Sequence, residues 1–511
     1  MSTGDIYTET ENEALAFKTT GNPLVDYFML LVRDLKKNIN NEQLEKCWNV
    51  SPEKTVAIIF NCRDRMNGKK EKKISNDAMR WLRKYKPNTY KKNIQCYVDK
   101  YGRWKDLLYI SYYDLKGEDF SYELKMFSEQ LFKDSETLKK LNSPDVVADE
   151  KNNISLCAKW APSEGDRCDK KKKMAQRLAG FMFGEGNNKK MEMYRKNIIA
   201  PLRKHIGIVE NKTCANDWKT IVYKNVPAVA SKKYANAFKK HDEEGYGKYL
   251  ESVRSGEVKM KVTGILPHEL AKCYIEGGEK QESIELQWST ILENVKSSGT
   301  LKSSLAIVDV SGSMFGARNG SIPAQVAIAL GVMTSCCSDG HFGGKIITFS
   351  EDPELMQIPT NSLYDAYKVI KDMEYGLSTD FVKCCKTIID SAIENSIPDS
   401  EMPKKIFVFT DMQFDRANPN EKDIRTTYEI ISKMFSRHNY SVPKFIFWNL
   451  NSDHGETFPV NCAIENTAVV SGFSEQLLKI FMQYDEFNPE FIVDEIIKPY
   501  LEFVTISEDE K

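Results

Sequence analysis

Oxygen ligands recur at three places in the C-terminal part of this 511-residue chain. Asp309-Val310-Ser311-Gly312-Ser313 carries one carboxylate and two hydroxyls at alternate positions. Hard oxygens spaced this way can converge on one hard cation; Mg²⁺ takes about six of them at about 2.1 Å and keeps some as water. Gly376-Leu377-Ser378-Thr379-Asp380 places a hydroxyl just ahead of a helical pattern, and Thr410-Asp411 ends a later apolar run. Asp309, Ser311, Ser313, Thr379 and Asp411 are therefore the candidate ligands of Mg²⁺ or another divalent cation. Phosphoryl chemistry through Asp309 and Asp411 would use the same carboxylates. It lacks a positioned Lys, and the hydroxyl-rich neighbours favour holding an ion over turnover. No residue is assigned a catalytic role.

Other chemistries fail on spacing. Gly340 to Lys345 is followed by Ile346, which is not a phosphate-binding loop. His268-Glu269 opens like a zinc helix motif, but the second histidine is replaced by Lys272. Ser311 lacks the flanking glycines of a nucleophile elbow. The 12 cysteines include no C-x-x-C pair and read as buried, reduced thiols.

The oxygen-bearing loops need a scaffold that brings them together. Ser304–Asp309, Ile346–Phe349, Ile406–Phe409 and Phe445–Trp448 are short and apolar on both faces, as buried parallel strands are. Helical patterns alternate with them at Pro323–Ser335, Ser362–Met373, Asp380–Ile393, Asp423–Phe435 and Ser474–Met482. Such alternation predicts a doubly wound α/β sheet with its ligands at the carboxyl ends of the strands. From Asn22 to about Pro267 the texture is instead helical, with breakers such as Asn67-Gly68 and Tyr101-Gly102. Many short helices read as an irregular repeat array. Residues 135–155 read as a long polar loop.

The charge is dipolar beneath a formal net of −1. Residues 159–261 carry 24 Lys+Arg against 12 Asp+Glu, whereas 471–511 carry 3 against 10. Lys170, Lys171, Lys172, Lys173 and Arg177 form the densest cluster, with Lys170, Lys173 and Arg177 spaced for one helical face. Lys189, Lys190, Arg195, Lys196, Arg203 and Lys204 continue it, interleaved with Trp160, Phe181, Phe183, Tyr194 and Trp218. Basic faces attract phosphates, and nearby rings stack on unpaired bases. Trp104 reads as a packing anchor between repeats.

Two resemblances follow from these residues. The block Leu305-Ala-Ile-Val-Asp-Val-Ser-Gly-Ser-Met314, then Leu377-Ser-Thr-Asp380, then Val408-Phe-Thr-Asp-Met-Gln-Phe-Asp415 resembles the von Willebrand factor A fold with its metal-ion-dependent adhesion site, MIDAS. That resemblance implies that Ser311, Ser313 and Thr379 ligate Mg²⁺ directly. The two aspartates bind it directly or through water, and one position stays open for an acidic partner group. Thr20-Gly-Asn-Pro-Leu-Val-Asp-Tyr-Phe28, the segment from Arg63 to Glu71, and Tyr101-Gly-Arg-Trp-Lys-Asp-Leu-Leu108 resemble the TROVE module of the Ro ribonucleoprotein. This implies a ring of HEAT-like helical repeats whose basic surfaces bind RNA. Over nearly its whole length the chain resembles a family from plants, fungi and giant DNA viruses that joins the two parts.

The expected organisation is a polar tail over 1–20, an all-α HEAT-like repeat domain over 21–297 and a doubly wound α/β domain over 298–511. The expected function is non-enzymatic RNA binding, with a Mg²⁺-dependent site that docks an acidic protein or a phosphate ligand. Rival readings are a protein–protein scaffold and a metal-dependent nuclease or phosphatase. No apolar run reaches the roughly 20 residues that cross a bilayer, so no membrane role is expected. The expected location is the cytoplasm, with nuclear import or virion packaging as alternatives.

Overall fold

A computed structural model of the chain describes residues 6–33, 35–112, 121–141, 154–315, 323–349, 352–372, 380–415, 427–451 and 457–511. Helices fill the N-terminal part from Pro23 to Lys296. Their starts are written in the sequence. Asn22 caps the helix Pro23–Leu30 by accepting the Leu24 N–H at 3.0 Å, and Ser51 caps Pro52–Arg63 by accepting the Lys54 N–H at 3.2 Å. In both, proline holds the first helical position, where no N–H is needed. Ser121–Leu141 is one helix, so the first residues of the expected long loop are its last turns.

The stretch expected to be a polar tail folds. β1 (Tyr7–Glu9) and β2 (Leu15–Phe17) form an antiparallel hairpin. Its root pairs with the far end of the chain through Phe17 and Phe458, which exchange backbone hydrogen bonds at 2.8 and 2.9 Å. The run Ala14-Leu15-Ala16-Phe17 is apolar throughout, and Ala14, Ala16 and Phe17 are buried, which anchors this short segment.

The C-terminal part is a six-stranded mixed sheet. Its strands are β3 (Ser304–Val308), β4 (Lys345–Thr348), β5 (Leu355–Gln357), β6 (Lys405–Thr410), β7 (Lys444–Asn449) and β8 (Thr467–Ser471). Their order is β5-β4-β3-β6-β7-β8, and only β5 runs antiparallel. β5 and β8 were not expected: β5 is a three-residue edge strand, and β8 sits behind a turn-rich stretch. Val308, Phe407 and Phe409 face the helices Pro323–Cys337 and Leu478–Gln483, while Phe445 and Phe447 face Phe381 and Tyr428 on helices of the other side. Helices thus cover both faces, which is why the middles of the parallel strands are apolar on both sides.

Gly331 lets the helix Pro323–Cys337 lie against the sheet. A Cβ there would sit 2.3 Å from Val308 Cγ2 and 3.1 Å from Ile346 Cδ1. Gly331→Ala is expected to lower stability by about 1–3 kcal/mol through overpacking, despite better helix propensity. Chemical denaturation checks this; equal or higher stability would show that the helix can back away.

The two parts share one hydrophobic core. The helix Pro23–Leu30 is buried from Leu24 to Leu30 and lies across the β7–β8 end of the sheet. Asn449 Nδ2 donates to Met29 O at 3.1 Å, and Ser471 Oγ to Phe28 O at 2.7 Å. At the other seam the Glu285 carboxylate accepts the Leu363 and Tyr364 N–H groups, capping the helix Leu363–Lys371 from the opposite part. A smaller separate core (Val209, Tyr223, Phe238, Tyr246 and neighbours) supports the basic segment from 208 to 261.

Candidate metal and nucleic-acid sites

β3 and β6 lie side by side, but the chain leaves β3 toward β4 on one side and returns to β6 on the other. Loops diverge at such a switch point and leave a crevice above the strand ends. Asp309 and Asp411 immediately follow these two strands. Asp309 is fully buried; its Oδ1 accepts the Ser311 N–H at 2.9 Å and its Oδ2 the Thr410 hydroxyl at 2.6 Å. Ser311 Oγ and Ser313 Oγ are 3.2 Å apart. Burial first, and then the negative charge of Asp411, push the Asp309 carboxyl well above the usual carboxylate range. Asp309, Ser311, Ser313 and Asp411 are thus brought to one edge; Thr379 lies outside the described residues.

This donor set fits a hard divalent cation: two adjacent hydroxyls and two buried carboxylates that repel each other until a positive charge lies between them. Among the described residues no group of three or more His, Cys, Asp or Glu is placed to hold a metal. A cation at this edge would need hydroxyl as well as carboxylate oxygens.

The Asp411 loop is tightly fixed. Met412 takes φ 67°, a left-handed conformation disfavoured for its side chain, and Gln413 donates its N–H to Asp411 Oδ1 at 3.2 Å. Met412, Gln413 and Phe414 are all buried.

The basic residues read from sequence scatter. The helix expected to carry Lys170, Lys173 and Arg177 on one face breaks at Lys173, whose φ is 52°. The cause is Asp169: buried, it accepts the N–H groups of Gly165 and Ala175 and turns the chain between two short helices. Lys170, Lys173, Lys189, Arg195, Lys196 and Lys204 are exposed, and Lys172 is half-buried. The side chain of Lys171 is outside the described set, and Arg177 is exposed. Lys190 pairs with Glu185 at 2.6 Å and Lys196 with Glu192 at 2.7 Å. Arg203 is structural: its guanidinium donates to the carbonyls of Ala158 and Ala161 and to the Ser163 hydroxyl. Arg195, Arg203, Lys204 and Lys212 line one side of a cavity of about 840 Å³.

A second basic group escaped the sequence reading. Arg63 grips Asp106 Oδ2 with Nε at 2.8 Å and Nη2 at 2.7 Å, and the Arg103 N–H donates to the same oxygen at 2.8 Å. That one carboxylate is thereby engaged, yet Arg65, Lys72, Arg103 and Lys105 crowd around it. Burial lowers the pKa of Arg65, Lys72 and Arg103; repulsion from Arg63 and the neighbouring cations adds to this, and Asp106 offsets it only in part. Arg65 and Arg103 open into a cavity of about 980 Å³ together with Lys159, Lys233 and Lys261; Asp99 and Glu210 are its acidic members. Trp160 stands in this wall with Arg103, Lys105 and Lys159 between 5.2 and 5.6 Å from its ring. Trp104 packs edge-on against Phe127 at 5.9 Å, as an anchor does. The missed residues lie in two short segments interleaved with Asp64, Glu71 and Asp106, so neither looks strongly basic by itself. The signal available was Gly102-Arg103-Trp104-Lys105, with cations flanking a ring.

The fold and its sites define a class: a helical array joined through a continuous core to an α/β sheet with a hydroxyl–carboxylate edge. Residues 10–124 and 120–301 match the family model described as "Domain of unknown function (DUF2828)", and residues 303–500 match "Domain of unknown function (DUF7788)". The chain belongs to the DUF2828 family. It is 31% identical over 520 residues to "Uncharacterized protein L728" of Acanthamoeba polyphaga mimivirus, covering 96% of this chain and 87% of that one. That relative fits the giant-virus branch of the resemblance. The crystal structure of the Deinococcus radiodurans RO (RSR) protein aligns over 91% of this chain and 99% of its own at 12% identity, with a TM-score of 0.37. A likeness that loose carries no argument about this chain. No helix of the described residues is long and apolar enough to cross a membrane.

Proposed function

We propose that this protein is a non-enzymatic RNA-binding protein of the ribonucleoprotein type. In this reading the helical part is a TROVE-like array of HEAT-like repeats, and the sheet is a von Willebrand A-like domain with a MIDAS. The observation that carries it is the cavity walled by Arg65, Arg103, Lys159 and Trp160. Cations crowded beyond their available carboxylates favour an anion, and a ring among them stacks on a base. Lys170, Lys173, Lys189, Arg195 and Lys204, each exposed, add further phosphate contacts outside the cavity. A gel-shift titration of labelled single-stranded RNA against salt tests this: affinity falls steeply as salt rises. No binding at low salt would sink the reading and favour a protein scaffold.

In the same reading the sheet edge holds Mg²⁺. Ser311, Ser313 and Thr379 are its hydroxyl ligands, with Asp309 and Asp411 as the balancing charges. The ion supplies a positive docking point for a carboxylate or phosphate of a partner. Asp411→Ala is expected to weaken Mg²⁺ binding by about 10- to 100-fold while the sheet stays folded. Calorimetry and circular dichroism check it; unchanged affinity would remove Asp411 from the site. Turnover of RNA or a phosphoester that needs Asp309 would overturn the non-enzymatic reading.

A further inference from the structure

We infer that the N-terminal hairpin fixes the Asp411 loop and so sets how well the sheet edge binds a cation. The tip of the hairpin meets that loop directly. Thr10 Oγ1 donates to Phe414 O at 2.8 Å, the Glu11 N–H to Gln413 Oε1 at 2.8 Å, and Asn12 Nδ2 to Gln413 O at 3.0 Å. Glu13 and Asp415 form an antiparallel bridge. These contacts join residues about 400 apart in sequence, so no local turn geometry explains them.

Gln413 is the link. Its backbone N–H orients the Asp411 carboxylate, its carbonyl and side-chain oxygen are held by the hairpin tip, and its Nε2 donates to Thr457 Oγ1 at 3.3 Å. Met412, next to both, holds a left-handed backbone that only surrounding contacts keep in place. The tip also fixes itself: Thr10 Oγ1 accepts the Ala14 N–H at 2.9 Å, and Thr10 O accepts that of Glu13 at 3.1 Å. The root is anchored separately, at Phe17–Phe458 and by the Cys462 N–H donating to Thr20 O at 2.8 Å. Tip and root can thus be uncoupled by substitution.

The effect on cation affinity rests on the proposed Mg²⁺ site; the ordering of the loop does not. The test uses the full chain with Thr10→Val and Asn12→Ala combined, and Asn12→Ala alone as a milder variant. Hydrogen exchange is followed over 410–415 without added metal, and Mn²⁺ binding is followed by electron paramagnetic resonance. The expected results are faster exchange confined to 410–415 and the hairpin, and about tenfold weaker Mn²⁺ binding. Unchanged exchange in that loop overturns the inference, whatever the cation does. Faster exchange with Mn²⁺ affinity equal to the unaltered protein overturns the link to the site. If the unaltered chain binds no Mn²⁺, the cation reading fails, and loop exchange alone decides whether the hairpin holds it. Should the double variant loosen the whole sheet, Asn12→Ala supplies the comparison, and equal exchange there counts against the inference.

Discussion

Lys69→Met is expected to flatten the pH dependence of stability between pH 7.5 and 10. Lys69 is completely buried where the helical part meets β8. Its Nζ donates to Phe28 O at 2.5 Å and Ser471 Oγ at 2.6 Å and lies 3.7 Å from the Phe28 ring centre. Burial pushes its pKa down from 10.5 to about 7; Cys62 and Glu71 offset this only in part. The unfolded chain therefore binds the proton more tightly throughout that window. Stability from the neutral amine is complete above about pH 10.5 and is lost as pH falls toward 7. Each pH unit is worth about 1.4 kcal/mol for one proton, so about 3 kcal/mol separates pH 7.5 from pH 10. Met, one heavy atom shorter, keeps nearly the volume and the unbranched shape without the proton. Denaturation of both proteins at pH 7.5 and 10 gives the difference; parallel curves would show that Lys69 stays charged in the fold.

The largest expected effect on binding follows from the basic cavity. Arg65→Ala with Arg103→Ala should weaken single-stranded RNA binding by roughly 30- to 1,000-fold, equivalent to about 2–4 kcal/mol. The slope of log affinity against log salt should shrink by about 1.4, since two phosphate contacts disappear from a single strand. The loss should be similar for all base sequences, because guanidinium groups here meet phosphates. Arg63 is left intact, since removing it would strand Asp106 as a buried carboxylate without its guanidinium. Lys170→Glu serves as the contrast: exposed and outside the cavity, it should cost far less. Equal losses for both changes would move the binding surface outward.

Much of the sheet and its edge was legible because the signals are local. Ile406–Phe409 and Phe445–Trp448 announce themselves as doubly covered strands, and Asp309-x-Ser311-x-Ser313 is a contiguous motif. That Asp309 and Asp411 meet required only the placement of β3 beside β6. What stayed hidden was set by distant partners. The hairpin is polar along most of its length and folds because Phe458 and Gln413 receive it. The basic cavity arises from packing that brings Arg65, Arg103 and Trp160 together. The helical face expected from Lys170 to Arg177 failed on one buried acid, Asp169, whose capping role no charge count reveals.

The hairpin also imposes an order of events during synthesis. Its receiving strand pairing and loop lie about 400 residues downstream, so at 5–20 residues per second it emerges about 20–80 s before they do. Throughout that interval Phe17 and the helix Pro23–Leu30 lack their partners on the sheet. A nascent chain must shield this apolar surface, and ribosome-bound intermediates stalled before Lys405 should recruit chaperones that release once Ser471 has cleared the exit tunnel.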